Sequence, residues 1–130
     1  MSAPKKLSVI VAAALLSAGC GASASDQVKA KVRELARTAA AHDYHRICDD
    51  VLAPSLVSRL RSYGISCERA MNIALSGVRN PAISIGSTTV KGSSASVITL
   101  SMAAGQKASL ETIGLTKTSH GWRVASLRSL

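Results

Sequence analysis

From residue 26 onward the apolar positions fall first into helical and then into strand periodicity. Val28, Val32, Leu35, Ala36 and Ala39 recur at helical spacing, with Lys29, Lys31, Arg33 and Arg37 mostly on other faces. Asp26 is placed to cap this first helix, which is expected to run to about His42. Asp43 is the cap expected for a second, in which Tyr44, Ile47, Cys48, Val51 and Leu52 form the buried stripe. Pro54 interrupts it, having no amide and disfavouring a helical residue before it. Leu56, Val57 and Leu60 predict a short third helix ended by Gly64. Ser66 caps a fourth, with Cys67, Ala70, Met71, Ala74 and Val78 facing inward.

After Pro81 the period changes from helical to alternating. Ile83, Ile85, Thr88 and Val90 begin an extended segment, and Lys91-Gly92-Ser93-Ser94 reads as a hairpin turn. Val97 to Met102 alternates, and the more apolar set, Ile98, Leu100 and Met102, is assigned to one face. Gly105 marks the next turn. Leu110 to Lys117 is a further strand, and Ser119-His120-Gly121 turns it into a last one from Trp122 to Leu127. Helices followed by consecutive antiparallel strands predict an α+β domain, with the helices packed on one face of a sheet of about four strands.

The first 25 residues follow other rules. Lys5 and Lys6 form a basic start, Leu7 to Leu16 an apolar core, and Ser17-Ala18-Gly19-Cys20 closes it. About ten apolar residues are too few to span a bilayer, which needs roughly 20, but they suit an export signal. The tail resembles the lipobox of bacterial lipoproteins, where cleavage precedes a diacylated cysteine. Ser17 stands where Leu is usual, with Leu16 one place further back. This divides the chain into a signal peptide (1–19), a lipidated Cys20 with a flexible tether (20–25) and a single domain (26–130). The expected address is the outer face of the bacterial cytoplasmic membrane. The alternative is a soluble secreted protein, because Ala22-Ser23-Ala24 is itself an Ala-x-Ala cleavage site.

Removal of residues 1–19 leaves 111 residues, enough for one small core. It takes the formal charge from +9 to +7. The basic residues are scattered from Lys29 to Arg128, as on a solvated surface; attraction to an anionic envelope is the sharper alternative. Trp122, Tyr44 and Tyr63 are the only aromatics, which argues against base-stacking platforms, and no nucleic-acid partner is expected. Cys48 and Cys67 remain as an even pair in an oxidising compartment and are expected to form a disulfide. A metal site lacks further ligands at suitable spacing, and a catalytic thiol would need a basic partner such as His45.

Ala40-Ala41-His42-Asp43-Tyr44 at the helix junction, the Cys48…Cys67 pair and His120-Gly121-Trp122-Arg123-Val124 carry a resemblance to the nuclear transport factor 2-like superfamily, which includes ketosteroid-isomerase-like proteins. The chain looks most like small exported or lipid-anchored actinobacterial members. The resemblance covers about residues 26 to 128. It implies a cone-shaped, cystatin-like fold, its curved sheet wrapping the first helix around a possible pocket. Enzymes and non-catalytic members share that fold, so it leaves function open.

Catalysis of the isomerase type needs a carboxylate base and donors for an oxyanion. From Pro81 on, the only acid is Glu111 and the only histidine His120. Glu111 shares strand parity with Ile113 and Leu115, so it faces the pocket or lies at its solvated rim. His120 falls in a turn. His42 and His45 stand three apart, but Asp43 as a cap breaks their helix. Asp49 and Asp50 are assigned to Arg46 or water. No metal or cofactor signature is present. The expected function is a non-catalytic, lipid-anchored envelope domain that binds an apolar small molecule or an envelope protein. The alternative is a small isomerase or cyclase using Glu111, with Tyr44 or Tyr63 as phenol donor. Candidate ligand contacts are Tyr44, Ile98, Leu100, Met102, Ile113 and Leu115. Cys20→Ser is expected to abolish palmitate labelling and membrane retention in the native host. An unlabelled variant that still pellets with membranes in high salt would refute the anchor.

Overall fold

In the computed structural model, which describes residues 22–130, Ser23 and not Asp26 opens the first helix. Its Oγ accepts the Asp26 N–H at 3.1 Å, and Asp26 lies in the first turn, near the positive end of the helix dipole. Helix α1 (Ala24–Ala40) therefore takes in residues expected in the tether. Cys20 and the signal segment lie outside the described residues. No helix among the described residues is long and apolar enough to cross a membrane.

Helix α1 ends two residues before the expected His42. His42 adopts φ 52°, a left-handed conformation usually left to glycine. Its N–H reaches Ala39 O at 3.1 Å and the Asp43 N–H reaches Thr38 O at 3.0 Å, the paired bonds of a Schellman cap. The Asp43 side chain then accepts the Arg46 N–H at 3.1 Å, so one residue closes α1 and opens α2 (Tyr44–Arg46). This confirms Asp43 as a cap. Thr38, absent from the expected stripe, is buried because its hydroxyl donates back to Glu34 O at 2.8 Å.

Helix α2 does not continue as an ordinary helix. Ile47–Val51 is π-helical, with the Leu52 N–H bonded to Ile47 O at 2.9 Å. The expected residues Ile47, Cys48, Val51 and Leu52 are all buried, and the wider turn also brings Ala53 inward. Its free carbonyls meet cations: Arg123 donates to Asp49 O at 2.6 Å, and Lys31 to Asp50 O at 3.0 Å. Glu34 sits beside Lys31 (2.7 Å) and Arg46 (3.5 Å). Burial pushes its pKa up, but the two cations outweigh burial and hold it below its ordinary value.

Helix α3 (Pro54–Ser62) has Pro54 in its first turn, where a missing N–H costs least. Helix α4 (Cys67–Leu75) is capped by Ser66 Oγ, which accepts the Arg69 N–H at 3.3 Å; Val78 falls beyond its end. A disulfide joins Cys48 of the π-helical segment to Cys67 of α4, with Cα atoms 6.0 Å apart.

The strands β1 (Ala82–Lys91), β2 (Ser94–Met102), β3 (Ser109–Thr118) and β4 (Gly121–Ser129) form one antiparallel sheet in chain order. Helix α1 packs across its inner face, against β1 and β4. A bulge in β1 lets both Ile85 and Thr88 face inward, opposite Thr99 and Val97. Gly86 within it passes 2.9 Å from Ile98 O, measured from where a Cβ would stand, so a side chain there would strike backbone. At the edge of the sheet Leu52 bridges Val124, and the Ala53 N–H donates to Val124 O at 2.7 Å.

One face assignment is reversed. The inner positions of β2 are Ala95, Val97 and Thr99, not Ile98 and Leu100; Ile98 is 40% exposed on the outer face. Pairing decides this. Val97 stands opposite Ile113 and Thr99 opposite Glu111, and β3 buries Ile113 and Leu115. On the outer face Leu100 instead pairs with Leu110. Helices on one face of an antiparallel sheet agree with the expected α+β class.

Replacing Cys48 and Cys67 together by Ala should lower the unfolding free energy by about 2–5 kcal/mol, the range for losing a native bridge from a small domain. Urea unfolding measures this. An unchanged midpoint would show that the bridge contributes nothing.

Candidate functional site: an apolar cavity at one end of the sheet

The start of β1, the end of β2, the start of β3 and the end of β4 lie together, because Ala82 pairs with Met102, Ser101 with Ser109 and Glu111 with Ser129. Helices α3 and α4 stand over this end of the inner face, leaving a cavity of about 640 Å3. The helical wall is Leu56, Leu60, Met71, Ala74 and Leu75; the floor includes Leu35, Leu52 and Ile113. The size lies within the roughly 300–1,000 Å3 of small-molecule sites, and the lining is mainly apolar with a few polar groups. The chain has no Phe, and its lone Trp122 is buried at the opposite end of the sheet, so no bulky ring fills the space.

Of the candidate ligand contacts, the structure places Ile113 in the cavity floor and Met102 at its rim. Ile98 and Leu100 point away, for the pairing reason given above. Leu115 is buried outside the lining, and Tyr44 lies elsewhere. The contacts supplied by α3, α4 and the end of β4 escaped sequence reasoning. Their apolar faces were legible, but an apolar helix face facing core and one facing a cavity have the same period.

Glu111 is half-buried on the inner face and lines the cavity; its Oε2 accepts the Ser101 hydroxyl at 3.0 Å. Neither phenol joins it. Tyr63 is 79% exposed, and Tyr44 Oη is bonded to His42 Nδ1 at 2.8 Å in a separate polar cleft. His120 is exposed in the turn between β3 and β4, at the far end of the sheet. Three cations, Arg59, Lys107 and Arg128, line the cavity and are exposed.

The polar cleft lies beside the disulfide. His45 links two elements there: Nδ1 is 2.8 Å from Glu68 of α4, and Nε2 is 2.9 Å from Asp49. Asp49 was expected to pair with Arg46 or water; its helical spacing of four from His45 gives it this partner, while Asp50 stands 3.8 Å from Arg46. With both ring nitrogens aimed at carboxylates, the arrangement favours imidazolium. No group of metal-ligating side chains with ligand geometry occurs among the described residues.

No known protein family matches the chain, and no curated protein matches it in sequence. Among solved structures, a phospholipid-binding protein from Ralstonia solanacearum, in complex with a phospholipid, matches with 14% identity and a TM-score of 0.49. The match covers 82% of this chain and 77% of that one.

The Glu68 hydrogen bond, then the charges of Asp49 and Glu68, raise the His45 pKa above its ordinary 6.5. A raised folded pKa means that the stabilisation is fully present below 6.5 and is lost as pH rises through the folded value. Thermal melts should therefore show wild type losing stability above that point and His45→Gln losing less. Parallel melting curves for the two proteins would refute the role of His45.

Proposed function

We propose that this chain is a non-catalytic, lipid-anchored domain of the cell envelope that holds a small apolar molecule in the cavity between α3, α4 and the inner face of the sheet. The observation that carries the ligand reading is the cavity itself: about 640 Å3, walled by Leu, Met, Ile and Ala side chains and open to solvent at a rim that includes Leu127, 52% exposed. Burial of an apolar ligand there gains about 25 cal/mol per Å2 removed from water. On this reading an envelope protein is the competing occupant, and the cone-like superfamily resemblance supplies the setting.

Two features support anchoring at Cys20 over release after Ala24. The apolar core ends at that cysteine. Cleavage after Ala24 would also remove Ser23, whose hydroxyl caps α1, and would cut into the helix's first turn. Anchoring at Cys20 leaves the cap intact.

One observation favours a second reading, a small isomerase or cyclase with Glu111 as general base: its carboxyl lines the cavity and is oriented by Ser101. Against it, the phenols and His120 lie outside the cavity, so the carboxylate lacks the oxyanion donors the sequence offered for it.

Ala74→Trp and Met71→Trp should fill the cavity and abolish binding of a solvatochromic apolar dye while the melting temperature stays near wild type. Undiminished dye binding in both variants would overturn the cavity as the binding site. Glu111→Gln should keep the fold and retain dye binding. Turnover of an enolisable or epoxide substrate by wild type, falling about a hundredfold in Glu111→Gln, would make the protein an enzyme.

A further inference from the structure

The charges around the cavity narrow its ligand. Beyond Glu68 the chain carries seven basic residues and one acid, Glu111. Two of the seven, Lys107 and Arg128, line the cavity together with Arg59, so that the three come from different elements: the loop between β2 and β3, the end of β4 and helix α3. All three are exposed, whereas the floor residues Leu52 and Ile113 are fully covered. The cations therefore ring the rim and the apolar side chains line the depth. None of the three makes an ion pair among the described residues, although Lys31, His45 and Arg46 do. Glu111 is the only carboxylate of the lining, and Ser101 holds it against the inner strand face. The site thus carries two more positive than negative charges, with the excess at its mouth.

Resting on the cavity reading above, we propose that the ligand is a single-chain anionic amphiphile, with its hydrocarbon tail among α3, α4 and Ile113 and its head group at Arg59, Lys107 and Arg128. A neutral apolar molecule would leave these cations idle. A cationic one would be repelled at the rim. A tail inserted head-first would bury its charge against Ile113 and Leu52, which have nothing to offer an ion. The polarity of the site therefore fixes the orientation as well as the class. A carboxylate and a phosphate monoester share the required chemistry, since guanidinium and ammonium groups accept either.

Displacement of a fluorescent alkyl probe from the full-length exported protein tests this with oleate, 1-oleoyl lysophosphatidate and methyl oleate, which carry the same chain. Both anions should bind about tenfold or more tightly than the ester at low ionic strength, and added salt should compress the ratio. Arg59→Gln/Lys107→Gln/Arg128→Gln should bring the ratio close to one. Glu111→Gln should widen it several-fold by removing the opposing charge. A clear preference between the anions identifies the head group as carboxylate or phosphate. Equal binding of ester and acids by wild type would overturn the anionic class while leaving the cavity reading intact. Failure of all three to displace the probe would overturn the cavity reading itself. If the triple variant unfolds, the salt dependence and Glu111→Gln arms still decide the proposal.

Discussion

Residues 47 to 53 are the segment on which every other layer of this domain leans. Ile47, Val51, Leu52 and Ala53 are almost wholly buried. Cys48 carries the disulfide to α4, Leu52 and Ala53 bond to Val124 of β4, and Lys31 of α1 caps the Asp50 carbonyl. The π-helical winding makes this possible. Adding a residue to the turn lets Asp49 and Asp50 stay outside while the residues on either side of them remain covered. An ordinary helix followed by Pro54 would not deliver Leu52 and Ala53 to the sheet edge in the same way. The position of the cavity's helical wall follows from this one anchorage, since α3 begins at its end and α4 is bonded near its start.

The wall is otherwise lightly held. Helix α4 packs on α2, the π-helical segment and α3 rather than broadly on the sheet, and the gap between it and the strands is the cavity. Interiors are normally packed to the density of organic crystals, and a void forfeits contacts for all its lining atoms. That loss is more easily tolerated where a disulfide holds one end of the wall in place. The disulfide and the His45 pairing with Glu68 both engage the N-terminal end of α4, and neither Cys48 nor Cys67 lines the cavity. The two features are complementary: covalent and polar fastening at the start of α4, apolar space along the rest of it.

Much of this was readable from the residues. Ser66, Asp43 and Gly64 marked helix boundaries through capping chemistry, and Lys91-Gly92-Ser93-Ser94 marked a hairpin that the Lys91–Ser94 pairing bears out. Capping is local, so it survives without tertiary information. The β2 face was misread for the opposite reason. In Val97-Ile98-Thr99-Leu100-Ser101-Met102 the larger apolar side chains occupy the outer positions, and only the register against Ile113 and Leu115 decides which set turns inward. The cap of α1 was placed three residues late because Ser23 and Asp26 are both good acceptors. Glu111 was correctly tied by parity to Ile113, yet Arg59, Lys107 and Arg128 come from elements far apart in sequence, and no periodicity links them.

The distribution of polar chemistry bears on the choice between the two proposed readings, binding and catalysis. General acid–base work needs a base and an electrophilic partner converging on one atom. Here the groups with suitable chemistry are spread over different regions: Glu111 in the cavity, His42 with Tyr44 and His45 beside the disulfide, and His120 at the far end of the sheet. What converges on the cavity is apolar surface inside and positive charge at the rim. Such a gradient stabilises a molecule that is itself divided in the same way, and it acts equally at every moment of the molecule's residence. Uniform attraction of that kind tightens binding without lowering a chemical barrier. On the proposed reading, a single carboxylate already engaged by Ser101 has an orienting task available to it, repelling an anionic head toward the three cations, before any task as a base.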